Sequence, residues 1–372
     1  MASFYAIRPS TVRRPTRGPK RPAAAYLHAI LLVACLSPGC GPRAAGEAAP
    51  SPGGAVPASD RARLCTRIDA ALAHARDGRR LDAGEHGAWQ VVHGILAFGP
   101  ELPLLHDGTE SPALDYLLGG GTLTGWQLRP GSRGVFAPVA EGSTTAQGHP
   151  DQWLGYLSQC GLHGIPRDTR LIVGGREFTV NDLLQQALAD IRPGQEATWT
   201  LMASAAYLPP DAAWTSADGE RWTTERVVRM EADADIPSSA CGGAHRLFGL
   251  ACAVRKQLAA TGRRPDQLTG AWATAVDVIE ECIDRARRFQ QADGSFSVHF
   301  FERPGSSRDL FQRLGATGHV FEFLVAALDD ERLAEPWVTR AAERLVTLLE
   351  QSADVDVECG ALYHACHGLL LY

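Results

Sequence analysis

The sequence lacks an apolar run long enough to cross a bilayer as a helix. Its apolar N-terminal segment, from Ala23 to Leu36, has 14 residues, whereas a spanning helix needs about 20. Six basic residues precede this segment, and Ser37-Pro38-Gly39-Cys40 follows it. A basic stretch, a short apolar stretch and small residues in that order are typical of an export signal. We therefore expect residues 1–40 to direct export and not to belong to the fold.

An excess of basic residues is also missing. The whole chain carries a net charge of -6, and the predicted export signal holds six basic residues and no acidic ones, so residues 41–372 carry -12. A body this acidic repels phosphate backbones. Nucleic acid is therefore excluded as a predicted partner.

A compact disulfide framework is the third absence. Seven of the nine cysteines lie beyond residue 40, an odd number that cannot pair internally in full. One or two bridges remain open if the compartment is oxidising. We expect most of these side chains to be small buried apolar groups. The seven are Cys65, Cys160, Cys241, Cys252, Cys282, Cys359 and Cys366.

Two N-terminal cysteines are candidates for lipid attachment. Leu32-Val33-Ala34-Cys35 resembles the bacterial lipoprotein box residue by residue, and Ser37-Pro38-Gly39-Cys40 resembles it more loosely but directly precedes a linker. We favour Cys40, and cleavage without a lipid is the alternative. Residues 41–59, rich in Ala, Pro, Gly and Ser, are typical of a flexible tether. The predicted location is the bacterial periplasm or cell envelope, with a lipid anchor to the membrane.

From residue 60 onward, apolar residues recur with the period of an α-helix. Low-charge helices, typical of segments surrounded by protein, alternate with charged or amphipathic ones. The low-charge segments begin near residue 85 and then lie near 150–160, 197–207, 242–258, 317–328 and 361–371. The charged or amphipathic segments lie near 60–77, 112–118, 181–191, 223–234, 268–290 and 335–350.

This alternation predicts an all-α fold. Residues 60–372 are expected to form a single α6/α6 toroid, in which six outer helices cover six inner ones. An α-solenoid of helical pairs is the alternative, although no strict repeat is visible. Two short β-hairpins are expected as insertions, one around Pro130-Gly131-Ser132 and one turning at Gly174-Gly175.

The segment Gln290-Gln291-Ala292-Asp293-Gly294-Ser295-Phe296 follows a predicted outer helix. It resembles the glutamine-tryptophan repeat of terpenoid cyclases and their prenyltransferase-like relatives. The resemblance implies an α/α-toroid fold in which the motif fastens the helix end to the next unit. It does not imply terpene cyclisation, because the Asp-x-Asp-Asp initiator is absent from the sequence, and a shared fold does not transfer chemistry.

A second resemblance concerns the C-terminus. Cys366-His367-Gly368 is similar to the metal-binding tripeptide of lanthionine synthetase cyclases, which are also α/α toroids. The resemblance implies a zinc site whose third ligand comes from an earlier inner helix, where Cys241 is the counterpart. The implied ligands are Cys241, Cys366 and His367, with water in the fourth position.

A histidine recurs near the start of five low-charge helices. We expect these imidazoles to converge at one end of the toroid and to line a basin. Histidine, whose pKa lies near neutrality, and tyrosine are suited to proton transfer. The candidate catalytic residues are His93, His149, His245, His319, His364 and Tyr363, and the candidate substrate-binding residues are Trp126, Asp151, Arg246 and Asp293.

These features favour an exported enzyme that acts on an extracytoplasmic glycan as a lyase or hydrolase. The alternative is a tethered toroid that binds a glycan or peptide without chemistry, and a terpenoid cyclase-like or zinc-dependent enzyme is a further one. No cofactor is expected under the first hypothesis. Cys241 and His245 are four residues apart at a helix start, which also permits a cysteine nucleophile with a histidine base.

Overall fold

The computed structural model of the protein describes residues 58–160, 164–355 and 359–372, all of which belong to one compact unit. The predicted export signal, Cys35, Cys40 and residues 41–57 of the predicted tether lie outside the described residues. The first helix begins at Ala58, two residues before its predicted start. No helix in the described ranges is long and apolar enough to cross a membrane.

Thirteen α-helices lie in the described part of the chain, so the prediction of a mainly helical body is confirmed. They are α1 (Ala58–Asp77), α2 (Ala88–Phe98), α3 (Ala113–Leu118), α4 (Gln152–Gln159), α5 (Val180–Asp190), α6 (Thr198–Tyr207), α7 (Thr224–Ala232), α8 (Ala244–Thr261), α9 (Ala271–Phe289), α10 (Leu310–Ala327), α11 (Asp330–Leu333), α12 (Pro336–Gln351) and α13 (Cys359–Leu371).

Four small sheets connect the helices. They comprise β1 (Leu81–Asp82) parallel to β2 (Pro103–His106), which pairs antiparallel with β3 (Thr109–Pro112), and the hairpins β4 (Arg129–Pro130) with β5 (Val135–Phe136), β6 (Arg170–Val173) with β7 (Arg176–Thr179), and β8 (Ala213–Thr215) with β9 (Arg221–Thr223). Both predicted hairpins are present. The β2–β3 and β8–β9 hairpins were not predicted, although Asp107-Gly108, with φ of 47° and 76°, is a strong turn signal for the first of them.

Six helices are buried on nearly every side, and they correspond to the six predicted low-charge segments. These are α2, α4, α6, α8, α10 and α13. Each packs against the next in this order, and α13 packs against α2. Helices of the other type pack on them: α7 and α9 contact α8, while α12 contacts α10. On α9 the buried residues recur at helical spacing along one face, as an amphipathic helix requires.

The motif at residues 290–296 joins α9 to α12. The side-chain amide of Gln290 donates to the carbonyl of Trp337 at 2.8 Å and to that of Gly294 at 3.1 Å. Asp293 accepts hydrogen bonds from Ser295 and forms ion pairs with Arg313 and Arg344. Asp293 was predicted to bind substrate; in the structure its carboxylate fastens this loop to α10 and α12.

Glycines let the buried helices approach closely. A methyl group added at Gly318 of α10 would lie 2.9 Å from the backbone nitrogen of Ala365 on α13. One added at Gly368 would lie 3.1 Å from the backbone nitrogen of Glu322, and one at Gly155 would lie 2.5 Å from the Trp199 ring. Since the neighbours at Gly318 and Gly368 are backbone atoms, these two positions set the spacing of α10 and α13.

Gly318→Ala tests this spacing. We expect it to lower the free energy of unfolding by about 1–3 kcal/mol, because the new methyl group must push the backbone of α13 away. Urea denaturation of the purified full chain measures the change. Gly315→Ala, on the same helix, is the matched control, since its methyl group would meet only the Ala361 side chain at 3.4 Å. Equal unfolding free energies for the two variants would contradict the inference that Gly318 sets the spacing of α10 and α13.

Candidate functional site

Four imidazole rings from four different helices meet in the interior. They belong to His93 of α2, His245 of α8, His319 of α10 and His364 of α13. Ring centroids lie 4.3 Å apart for His319 and His364, 4.6 Å for His245 and His364, and 4.9 Å for His245 and His319. His93 joins through His364 at 5.2 Å. We refer to these four residues as the imidazole cluster.

Backbone carbonyls orient two of these rings. Nδ1 of His93 donates to the Trp89 carbonyl at 2.6 Å, and Nδ1 of His319 donates to the Gly315 carbonyl at 2.7 Å. Each acceptor lies one helical turn earlier, so the helix itself fixes the ring. The hydrogen bond places the proton of a neutral His319 on Nδ1 and leaves Nε2 with a lone pair.

Glu322 of α10 orients the third ring. Its Oε2 accepts from Nδ1 of His364 at 2.8 Å, and its Oε1 accepts from Nδ1 of His367 at 2.5 Å. Burial alone opposes ionisation of this carboxyl, but the two imidazoles, His364 foremost, hold the pKa of Glu322 well below its usual range. A buried anion thus sits directly beneath the imidazole cluster.

Cys241 covers the cluster from outside. It lies in the short 3₁₀ turn Ala240–Gly243 that precedes α8, and its side chain is exposed. The donor atoms of Cys241, His245 and His319 all lie within 4.8 Å of one another. Burial acts to lower the pKa of His319, but the charge and hydrogen bond of the Cys241 side chain, together with Glu322, raise it to about 9. His245 shows the opposite effect, because burial and then His364 and His319 hold its pKa well below the ordinary value.

The backbone around Cys241 is strained. Its φ is 50°, and Phe300, in the loop that packs against this turn at Gly242, has φ of 51°. A methyl group added at Gly242, where φ is 59°, would lie 2.4 Å from Phe300, so the two strained segments pack directly together. Left-handed conformations cost non-glycine residues free energy and are retained mostly where the surroundings enforce them, often at functional sites.

A polar cavity lies on the other side of the cluster. His149 does not join the four rings: its Nδ1 contacts Oε2 of Glu196 at 2.7 Å, and its ring stacks on Trp199 at 4.5 Å. The Trp199 ring in turn lies 5.5 Å from that of His245. The cavity has a volume of about 660 Å³. Its polar and aromatic lining residues are Trp89, Glu141, Ser143, His149 and Glu196.

Three predicted site residues have structural partners outside the cluster. Arg246 forms a buried ion pair of 2.7 Å with Glu231, whose carboxylate also accepts from the start of α6. Trp126 packs against Trp153 at 6.4 Å. Tyr363 lies edge-on to Phe98 at 5.9 Å. These residues hold helices and loops together, and none of them faces the imidazole rings.

Two residues of the site were not predicted from the sequence. The hydroxyl of Tyr156, on α4, lies 3.4 Å from Nε2 of His364, and its ring lies 4.8 Å from that of His93. Glu322 is the other. A signal for Glu322 existed, since it is the sole acid between Leu314 and Leu328 of a low-charge segment and lies one turn from His319.

The zinc ligands implied by the sequence resemblance are not brought together. Among the described residues, two groups of potential ligands have their donor atoms within 4.8 Å of one another: Cys241 with His245 and His319, and His245 with Glu322 and His364. Cys366 is buried and belongs to neither group, and His367 turns to Glu322. The set Cys241, Cys366 and His367 is thus not one of these two groups.

No protein-family model, curated protein sequence or solved structure matches this chain. The geometry of the site is thus the basis for its functional interpretation.

Asp151 gives the site region a pH dependence. It precedes α4 with φ of 58°, and its carboxylate accepts from the Thr200 hydroxyl at 2.5 Å. Burial raises the pKa of Asp151 to about 6 from 3.8. The folded state therefore binds the proton more tightly than the unfolded state, so stability is lost as pH rises from about 4 to about 6.

Asp151→Asn removes that loss, because a neutral amide keeps the acceptor and tolerates the left-handed backbone. Relative to the parent protein, we expect the variant to gain up to about 3 kcal/mol of unfolding free energy as pH rises from 4 to 7. Urea denaturation at a series of pH values measures this. Asp107→Asn is the matched control, since Asp107 has a similar φ but is exposed. If the difference in unfolding free energy between Asp151→Asn and the parent protein did not change with pH, Asp151 would not be the source of the pH dependence.

Proposed function

We propose that the body is an α6/α6 toroid. Its support is the order of contacts, in which six buried helices each pack on the next and α13 packs on α2. Helices of the amphipathic type alternate with them along the chain, as covering helices of an outer ring would. In this architecture the imidazole cluster lies where the inner helices meet.

We propose further that Cys241, His245 and His319 bind a metal ion, with zinc favoured, at a hydrolytic centre. The observation that carries this proposal is the meeting of one thiol and two imidazoles, each from a different turn or helix, within 4.8 Å. Thiolate and imidazole are ligands suited to zinc, and three protein ligands with an open fourth position are typical of catalytic zinc sites. The Gly315 carbonyl bond to His319 is the kind of outer contact that orients metal-ligating histidines.

The remaining groups suit proton transfer at the open position. A bound zinc ion would lower the pKa of a coordinated water, which supplies a nucleophile near neutral pH. His364 is held at Nδ1 by Glu322 and presents Nε2 toward Tyr156, so it can accept a proton at Nε2 and return it to a leaving group. Glu322 keeps that ring in position and compensates its positive charge.

The sequence-based expectations of export and lipid anchorage at Cys40, or Cys35, complete the proposal. They place this centre in the periplasm or cell envelope. The N-terminal arrangement that supports them is the order of basic, apolar and small residues in the first 40 positions.

Metal content tests the centre directly. We expect the purified full chain, loaded with zinc and then dialysed, to retain about one equivalent by elemental analysis, because the three ligands belong to one folded site. Cys241→Ser and His319→Ala should each retain less than about a tenth of an equivalent under the same dialysis. Cys65→Ser, which removes another exposed thiol, is the matched control and should retain the metal.

Failure of the parent protein to hold zinc, cobalt or any other tested divalent ion would overturn the metal proposal. The site would then consist of one thiol and two imidazoles without a metal ion, contributed by Cys241, His245 and His319. Unchanged zinc retention in both Cys241→Ser and His319→Ala would show that these two residues are not ligands of the ion.

A second candidate function is glycan binding and cleavage at the polar cavity. The observation that favours it is the lining, which combines the Trp89 ring with two carboxylates, those of Glu141 and Glu196, in about 660 Å³. Aromatic faces offer apolar surface with a polar edge, and two carboxylates are what glycosidic hydrolysis requires. This candidate keeps a glycan as the substrate, as expected from the sequence. It puts the glycan site at His149 and Glu196 and not at the imidazole cluster.

A polysaccharide screen tests this candidate. We expect release of reducing ends from at least one acidic or neutral polysaccharide, and Glu196→Gln and Glu141→Gln should each lower turnover by roughly 100-fold or more, since each removes an acid-base group. Glu110→Gln, an exposed carboxylate paired with Arg80, is the control. Products with an unsaturated uronate would indicate a lyase. Full activity in both Glu196→Gln and Glu141→Gln would contradict glycan cleavage at the polar cavity.

A further inference from the structure

A second cavity reaches the imidazole cluster from the side of α10 and α13. It has a volume of about 360 Å³. Its walls come from the α10 start, from Ala361 at the α13 start and from the loop that follows α9. The lining residues that matter are Val298, Phe300, Phe311, Ala316, Ala361 and His319.

The lining of this cavity is apolar except at one end. Aliphatic and aromatic side chains form its walls, Gln312 is at its rim, and His319 is the one titratable group among the described lining residues. Val298, Phe300 and Phe311 are only partly buried, so they leave apolar surface in contact with water. Covering such surface with an apolar group is favourable in proportion to its area.

The cavity and the proposed reaction centre share His319. One edge of the His319 ring faces Phe300 at 6.3 Å between centroids, and the same side chain hydrogen-bonds Cys241. The left-handed conformation of Phe300 and its contact with Gly242 fix this wall relative to the turn that carries Cys241. The polar end of a molecule in the cavity would therefore lie at His319, whose side chain leads to Cys241.

The two cavities differ in the ligands they suit. The polar cavity carries Glu141, Glu196 and His149, which suit a hydroxylated or cationic group. Among its described lining residues the cavity at His319 has no carboxylate, lysine or arginine, and its polar side chains are His319 at one end and Gln312 at the rim, so the described wall between them offers no side-chain partner for a charged or hydroxylated chain. Its volume lies at the small end of the range for ligand sites.

We infer that the cavity at His319 holds an alkyl or acyl chain of the substrate and presents the adjoining carbonyl or similar polar group to Cys241, His245 and His319. The inference rests on the proposed metal centre, and it names the substrate class of that centre as a molecule with a linear apolar chain. Chain length is set by the space that Gly315, Ala316 and Ala361 leave open.

Two homologous series of probes test it on the full chain. n-Alkyl hydroxamic acids from two to eight carbons bind through both the metal and the cavity, and n-alkanols of the same lengths need only the cavity. We expect affinity, measured by calorimetry on the zinc-loaded protein, to rise about fourfold per added methylene in both series until the cavity is filled.

Variants of the wall locate the effect. Ala361→Leu fills the cavity and should abolish the rise with chain length while leaving acetohydroxamic acid binding within about twofold, since that probe needs little more than the metal. Phe311→Ala removes a partly exposed wall and guards against a folding defect at residue 361; it should lower the rise per methylene. Glu110→Gln, an exposed carboxylate paired with Arg80 and outside both cavities, is the control and should leave both series unchanged.

The outcomes separate this inference from the metal proposal. If alkanol affinity rises with chain length in a protein that holds no metal, chain binding in the cavity is supported and the metal proposal is overturned. Zinc retention with flat chain-length dependence in both series overturns the cavity. A rise that persists in both Ala361→Leu and Phe311→Ala also overturns it, because the chain then binds elsewhere.

Discussion

The close approach of α10 and α13 is the constraint on which the interior depends. Gly318 lies against the backbone of Ala365, and Gly368 lies against the backbone of Glu322, so the two helices touch at two levels without intervening side chains. Only at this spacing can His319 and His364 bring their ring centroids to 4.3 Å and Glu322 reach two histidines of the facing helix. The glycines thus pack the helices, and the packing assembles the site.

Burial makes this site electrostatically demanding. Glu322 is ionised within the interior, and isolated buried charges cost several kcal/mol even after relaxation. His364 and His367 offset that cost by hydrogen bonds to both carboxylate oxygens. The same arrangement brings potential ligand atoms of Cys241, His245 and His319 within 4.8 Å of one another. The proposed metal ion would lie among these three ligand atoms.

The helix types, the two predicted hairpins and the gathering of histidines followed from periodicity and recurrence in the sequence. The exact membership of the site did not. Neighbouring residues on a helix point about 100° apart, so His364 faces the cluster while Tyr363 packs on Phe98. Tyr156 and Glu322 depend on how distant helices are aligned, which no local pattern reveals. His149 precedes its helix, and the turn at Asp151 takes it to Glu196 instead.

One buried centre with two unlike cavities limits what its chemistry can be. The polar cavity borders the cluster through Trp89, whose ring lies 4.3 Å from that of His93, whereas His319 itself forms part of the apolar cavity, next to the strained turn at Cys241. A substrate that approached through the polar cavity would meet His149 and Glu196 before any cluster residue. One that approached from the α10 side would meet His319 directly, and the His319 side chain hydrogen-bonds Cys241. Because His319 lines the apolar cavity, that side is the more direct route to the proposed metal site, and the polar cavity is a separate candidate site.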